Sequence, residues 1–266
     1  MPTITLTFGD VCENGPGMQK RGILRKEGLS DELLRQIAKR YNAEYYNLGD
    51  REASILILRN GLETIFAQRA CDFITEQNTL LPDKKALIRG RVVNKHARHN
   101  LCFDEDAQEA DYAAGKGTVI SFEQVPHLTT LKSKLEKVFE CQPNSLKCEG
   151  NYYYDTQKCY IGFHGDAERK VVIGLRLQDA MPLVFQWYER FKAIGDQSEF
   201  ILNSGDIYAM SFKATGHDWK RSSIKTLRHA AGWKFIKVKS TLSSTLPTKD
   251  YDLIKDNDDL IKDNEN

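Results

Sequence analysis

Four runs in the second half of the chain constrain its fold most. KVVIGLRLQ, PLVFQWYERF, SEFILNSGDIYAMSF and SSIKTLRHAAGWKFIKV follow one another at regular spacing, separated by glycine, aspartate or charged residues. Short apolar or alternating runs of this kind predict strands. Several of them after a helix predict a sandwich, barrel or jelly roll. The helix is predicted in HLTTLKSKLEKVFE, where Leu128, Leu131, Leu135 and Val138 recur on one face. Upstream the texture differs. ITLTFGDV alternates apolar and polar residues like a half-buried strand. GLSDELLRQIAKRYN has helical spacing at Leu33, Leu34, Ile37 and Tyr41, with Ser30 placed as its N-cap. EASILILRNGLETIF reads as a strand and turn, and QRACDFITEQN as a helix. This β, α, β, α order predicts a small α/β module over residues 1–85, followed by a strand-rich domain over 86–240. Residues 241–266 hold DLIKDN twice and read as a disordered acidic tail.

Charge narrows the function. Lys plus Arg number 38 and Asp plus Glu 37 in 266 residues, so no global field draws the chain to a polyanion. Any such binding must come from a local basic patch, and LPDKKALIRGRVVNKHARHNLCFDED is basic first and acidic afterwards. The N-terminus has no basic region followed by an apolar run, and no window approaches the roughly 18 apolar residues of a membrane span. An intracellular protein, cytoplasmic or nuclear, with no membrane contact and monomeric, is expected. None of the six cysteines forms a CxxC pair, which argues against a zinc ribbon or a thioredoxin-like site.

The chemistry concentrates in IGFHGDAE. Alternate side chains of a strand face the same way, so His164 and Asp166 share one space if this stretch is extended. Gly162 and Gly165 leave room for close approach. An imidazole and a carboxylate are two of the three ligands of the facial triad of non-haem Fe(II) oxygenases. The third should be a histidine on a later strand. His217 follows a strand opened by Gly205-Asp206 and is the better candidate, because His229 directly follows Arg228 and points to the opposite face from it. Such a triad leaves iron positions for 2-oxoglutarate and O2. The far carboxylate of that cosubstrate needs a buried cation, and Arg228 is placed to be its bidentate anchor.

In order along the chain stand Asn151-Tyr152-Tyr153, His164-Gly165-Asp166-Ala167-Glu168, Gly205-Asp206 with His217, and Thr226-Leu227-Arg228. These residues resemble the AlkB-like branch of the Fe(II)/2-oxoglutarate-dependent dioxygenases, over residues 86 to about 240. The resemblance implies a double-stranded β-helix, or jelly roll, with flanking helices, and an α+β class overall. It implies iron held by His164, Asp166 and His217, and 2-oxoglutarate held by Asn151, Tyr153 and Arg228. It places VVNKHARHNLCF like the family's nucleotide-recognition lid, making Lys95, Arg98 and His99 candidate substrate contacts, together with Glu168. Tyr152, Tyr160, Phe185 and Trp187 are aromatics near the site able to stack on an inserted base. The activity implied is oxidative demethylation of N-alkylated bases in DNA or RNA, a repair or modification reaction. The alternative is hydroxylation of a protein or small molecule. The chain departs from the family in the spacing of its closing arginines and in having Ala167 between Asp166 and Glu168.

Overall fold

Along the first strand, TITLTFG, Ile4, Leu6 and Phe8 alternate with Thr3, Thr5 and Thr7, and the computed structural model buries both sets. It describes residues 2–15, 17–50 and 52–237, so the expected acidic tail lies outside the described residues. In chain order the strands are β1 (Thr3–Gly9), β2 (Val11–Glu13), β3 (Lys20–Gly22), β4 (Glu44–Asp50), β5 (Ala53–Leu58), β6 (Lys85–Ile88), β7 (Arg91–Asn94), β8 (His99–Asp104), β9 (Val119–Ser121), β10 (Lys147–Tyr153), β11 (Ile161–His164), β12 (Val172–Gln178), β13 (Met181–Glu189), β14 (Lys192–Leu202), β15 (Ile207–Met210) and β16 (Thr226–Ala231). The helices are α1 (Asp31–Tyr41), α2 (Gly61–Thr64), α3 (Ala70–Asn78) and α4 (Pro126–Val138). The result is a mixed α+β structure dominated by sheet, as the strand-like runs predict.

Two sheets carry the architecture. One has eight strands in the order β4-β5-β15-β12-β1-β10-β8-β9, and the other has four in the order β11-β16-β13-β14. All neighbours in these sheets are antiparallel except β8 and β9. Between β10 and β16 the chain passes back and forth between the two sheets. Their facing sides meet in a core that joins Ile55, Val172, Tyr208 and Met210 of the large sheet to Leu183, Phe185, Phe200 and Leu227 of the small one.

Residues 1–85 are not the separate module that local patterning suggests. β1 lies between β12 and β10, and β5 pairs with β15, so this segment completes the large sheet. Local periodicity identifies a strand and says nothing about its partners. Ile4, Leu6 and Phe8 join the core under the helices, beside Leu34 and Ile37 of α1, Phe73 of α3 and Leu128, Leu131 and Leu135 of α4. Each such side chain contributes about 2 kcal/mol by burial. The threonines on the opposite face of β1 turn toward the small sheet, and Thr5 and Thr7 line the space between the sheets.

The predicted Ser30 cap is present, its hydroxyl accepting from the Leu33 N–H at 3.1 Å. Residues 212–223, by contrast, are turns rather than a strand. Among the described residues no helix is long and apolar enough to cross a membrane.

Candidate metal centre and its cavity

A cavity of about 790 Å³ lies between the sheets. Strand alternation decides its walls. From the large sheet come Glu149, Asn151 and Tyr153 of β10, Val172 and Arg176 of β12, and Tyr208 and Met210 of β15. The small sheet contributes Leu183, His229 and Ala231, with residues 161–169 closing one side.

His164, Asp166 and His229 offer three ligand atoms within 4.8 Å of one another. β11 and β16 pair directly, Ile161 opposite Ala231 and His164 opposite His229, with a bulge between. That bulge is needed because regular alternation from inward-facing Ile161 turns His164 outward. The two imidazole rings then lie 4.5 Å apart, centre to centre. The Asp166 carboxylate approaches Nε2 of His164 at 3.7 Å and Nε2 of His229 at 3.8 Å. Nδ1 of His164 is 2.7 Å from the Gly162 carbonyl, a contact that orients the ring with Nε2 toward Asp166. Burial, and then the neighbouring His164 and Arg169, hold the His229 pKa well below the usual histidine value, which keeps that ring neutral and able to ligate. The donor set fits a divalent metal of the facial-triad type.

Close backbone contact sets the Asp166 loop. The Asp166 N–H donates to the Thr215 carbonyl at 2.9 Å. A Cβ on Gly165 would lie 2.0 Å from the Gly216 carbonyl oxygen, and one on Gly216, at φ +67°, would lie 2.4 Å from the Leu227 carbonyl. The three segments touch through glycines because no side chain fits between them. Gly165→Ala is expected to lower unfolding stability by about 3 kcal/mol and to weaken metal binding, since backbone on both sides resists relief. Denaturant unfolding with calorimetric Co(II) titration checks this. Wild-type values for both would mean that the loop relaxes freely.

His217 does not join the cluster, contrary to expectation. It lies among the turns of 212–223, where its Nδ1 is 3.2 Å from the carbonyls of Asp166 and Arg169. It braces the ligand-bearing loop from behind. Arg228 likewise faces away from the cavity, its guanidinium carbon 4.0 Å from the Tyr188 ring centre and its Nη2 donating to the Trp219 carbonyl at 3.5 Å. His229 and Arg228 do take opposite faces, but it is the histidine that turns inward.

Asn151 and Tyr153 line the cavity as the resemblance implies. The Asn151 side-chain oxygen accepts from Asn100 at 2.8 Å and from Nε of Arg98. Glu168 also lines it, paired with Arg169 at 3.1 Å, and Arg169 in turn reaches Glu149 at 2.5 Å. Desolvation raises the Glu168 pKa, with Asp166 adding to the effect.

The remaining expected substrate contacts are engaged elsewhere. Trp187 is no part of the cavity wall, because its Nε1 donates to the Leu48 carbonyl at 2.5 Å. His99 stacks on Tyr154 at 5.2 Å, outside the cavity wall. Of the other aromatics, Tyr152 bonds Gln77 at 2.7 Å and Phe185 packs in the core.

Lys95 donates to the Asn14 carbonyl at 2.7 Å. Burial pulls its pKa down to about 8, with Asp83 opposing and Arg98 reinforcing. The folded value lies below the unfolded one of about 10.4, so the cost of the buried charge is present in full below about pH 8 and fades as pH approaches 10.4. The stability of Lys95→Met relative to wild type should therefore fall by roughly 2 kcal/mol between about pH 7 and 10.5. Urea unfolding of both proteins across that range measures it. A constant difference would show that the ammonium is well solvated.

Arg176 is the site residue that sequence reasoning missed. It is 1% exposed at the centre of β12 and lines the cavity. Its Nη1 donates to the Thr5 hydroxyl and lies 3.7 Å from the Met181 sulfur, while Nε has no partner. Among the described residues no carboxylate forms an ion pair with it. A buried guanidinium without a counter-ion is expensive unless an anionic ligand completes it. Tyr153 and Tyr208, both with pKa raised by burial, line the same cavity. The available signal was a lone cation inside the apolar run VVIGLRL.

No protein-family model matches the chain. It is 43% identical over 251 residues to "Uncharacterized protein R156" of Acanthamoeba polyphaga mimivirus, an alignment covering 88% of this chain and 98% of that protein. The chain therefore belongs to the family of this mimivirus protein.

Proposed function

We propose that the protein is an Fe(II)- and 2-oxoglutarate-dependent dioxygenase of the AlkB-like type built on a jelly roll. The observation that carries this reading is one cavity whose wall holds both the His164, Asp166 and His229 cluster and the uncompensated Arg176. Supporting it are two facing antiparallel sheets, β10-β1-β12-β15 against β11-β16-β13-β14, with the chain's first strand completing the larger set.

His164, Asp166 and His229 would hold the iron. Iron held there would, with 2-oxoglutarate, activate O2 for substrate oxidation, with succinate and CO2 as co-products. Arg176 would pair with the carboxylate of 2-oxoglutarate far from the metal, because among the described residues it is the fully buried cavity cation without a carboxylate partner. Asn151 and Tyr153, on the neighbouring face of β10, would orient the rest of the cosubstrate by hydrogen bonds. Glu149 and Arg169 neutralise each other and fix the wall beside Asp166.

For the substrate we favour an N-methylated nucleic-acid base, which loses its oxidised methyl group as formaldehyde. A second reading, hydroxylation of a protein or small molecule, is favoured by Lys95 and Arg98 being tied to Asn14 and Asn151 rather than free for phosphate. The deciding experiment follows succinate and formaldehyde with Fe(II), 2-oxoglutarate and N-methylated single- or double-stranded oligonucleotides. Oligonucleotide-dependent formaldehyde supports demethylation. Succinate alone supports the second reading, and neither product would refute the oxygenase.

A further inference from the structure

The outer face of the small sheet carries an arrangement that the cavity does not use. Where Phe185 and His229 face inward, Tyr188 and Arg228 alternate outward. The Arg228 guanidinium is ringed by Tyr188 at 4.0 Å, Trp219 at 5.1 Å and Phe191 at 5.8 Å. On the adjoining flank Phe163 packs 6.1 Å from Tyr188 and 5.2 Å from Phe235. Tyr160 meets Phe235 at 5.8 Å, and the Lys234 ammonium lies 3.0 Å above its ring. The face is thus a row of aromatic rings interleaved with cations, and Phe191 and Tyr160 are 56% and 37% exposed.

A strained turn presents one of these rings. The β13–β14 hairpin closes through Arg190 and Phe191, between paired Glu189 and Lys192. Both turn residues have positive φ, +48° and +64°. Two-residue turns of this kind favour Asn-Gly, and a bulky residue there is an outlier. Strain retained at an exposed aromatic points to a use for that ring in binding.

Charge identifies the partner. Arg190, Lys192, Lys220, Arg221, Arg228 and Lys234 lie along this face or beside it, and among the described residues none forms an ion pair. Of the acids on the same segments, Glu189 and Asp196 lie in the hairpin, Glu199 accepts from the Lys237 N–H at 3.1 Å and Asp218 is tied to Lys213 at 2.7 Å. Aromatic faces beside uncompensated cations match unpaired bases on a phosphate backbone, because every base has a face to stack and a duplex hides those faces. Trp219, Phe163 and Lys220 also line the cavity, so the row continues into it.

We infer that this outer face binds single-stranded nucleic acid, with Phe191, Tyr188 and Tyr160 stacking on bases and the flanking Arg and Lys side chains meeting phosphates. Binding here is independent of the metal. Only the delivery of a base to the cavity rests on the oxygenase reading.

The test is fluorescence anisotropy of the metal-free full-length chain with labelled oligo(dT) and oligo(U) of about 20 nucleotides, a duplex serving as comparison. Single strands should bind more tightly than the duplex, and more weakly as salt rises. The double variant Arg190→Asn, Phe191→Gly should bind about 10-fold more weakly, because a stack is lost. It should also melt about 3 °C higher, because the turn is relieved. That rise rules out misfolding as the cause of weaker binding. His164→Ala should lose succinate formation and keep oligonucleotide binding, which separates this inference from the metal assignment. No single-strand binding by wild type, or unchanged affinity in the turn variant, overturns it. Binding that responds to Lys220→Glu and Arg221→Glu but not to loss of Phe191 would also overturn it, marking a general polyanion surface.

Discussion

His229→Ala should abolish Fe(II)-dependent succinate formation, whereas His217→Ala should only reduce it. The Nε2 of His229 lies 3.8 Å from Asp166 and belongs to the ligand cluster, while His217 reaches the main-chain carbonyls of residues 166 and 169 and packs beside Phe212. Loss of a residue that supports a ligand typically costs about 10- to 100-fold in metal affinity or activity, so loss of a ligand itself should exceed about 100-fold. Calorimetric titration with Co(II) or Mn(II) adds a readout independent of turnover. If His217→Ala were the dead variant and His229→Ala the active one, the cluster would be misassigned.

Arg176→Met should raise the concentration of 2-oxoglutarate needed for half-maximal succinate formation by about 100-fold, the equivalent of about 2.7 kcal/mol for a charge-assisted pair. The same change should leave the ligand-free protein as stable as wild type or more so. It removes a guanidinium that is 1% exposed and has no carboxylate partner among the described residues, and methionine fills similar space. Most substitutions in a strand-rich core destabilise, so a variant that keeps its melting temperature while losing cosubstrate affinity marks a residue held for binding. Arg228→Met, changed on the outer face, should leave the 2-oxoglutarate requirement within about 3-fold of wild type, since Arg228 itself does not line the cavity. An unchanged requirement in Arg176→Met would mean that the anion is held elsewhere.

Legibility differed sharply between elements. α1 and α4 were readable because an amphipathic helix is a local pattern, and their apolar stripes, Leu34 and Ile37 or Leu128, Leu131 and Leu135, are buried. β1 was readable as a strand, but its place in the middle of the large sheet was not, so residues 1–85 looked self-contained. Its alternation also invited the wrong inference of a half-exposed strand. Threonine suits the wall of a polar cavity as well as it suits solvent.

The candidate site divides in the same way. His164 and Asp166 declare themselves by their types and spacing, and Asn151 and Tyr153 share a strand face by simple alternation. The histidine that joins the cluster is His229 rather than His217, and the arginine that lines the cavity is Arg176 rather than Arg228. In each case the type of residue was anticipated and the choice among candidates failed. Arg228 drew attention by resemblance, while Arg176, hidden in an apolar run, was passed over.

By itself the sequence determined a strand-rich α+β chain, its principal helices and two of the three side chains of the candidate metal cluster, because periodicity and short spacing act over a few residues. Only the tertiary structure decided that His229 rather than Arg228 faces the cavity, and that Arg176 is buried with no counter-ion among the described residues. The physical reason is parity. Adjacent strand residues always take opposite faces, but which of them faces inward depends on pairing with a distant strand, here β11 with β16 through a bulge.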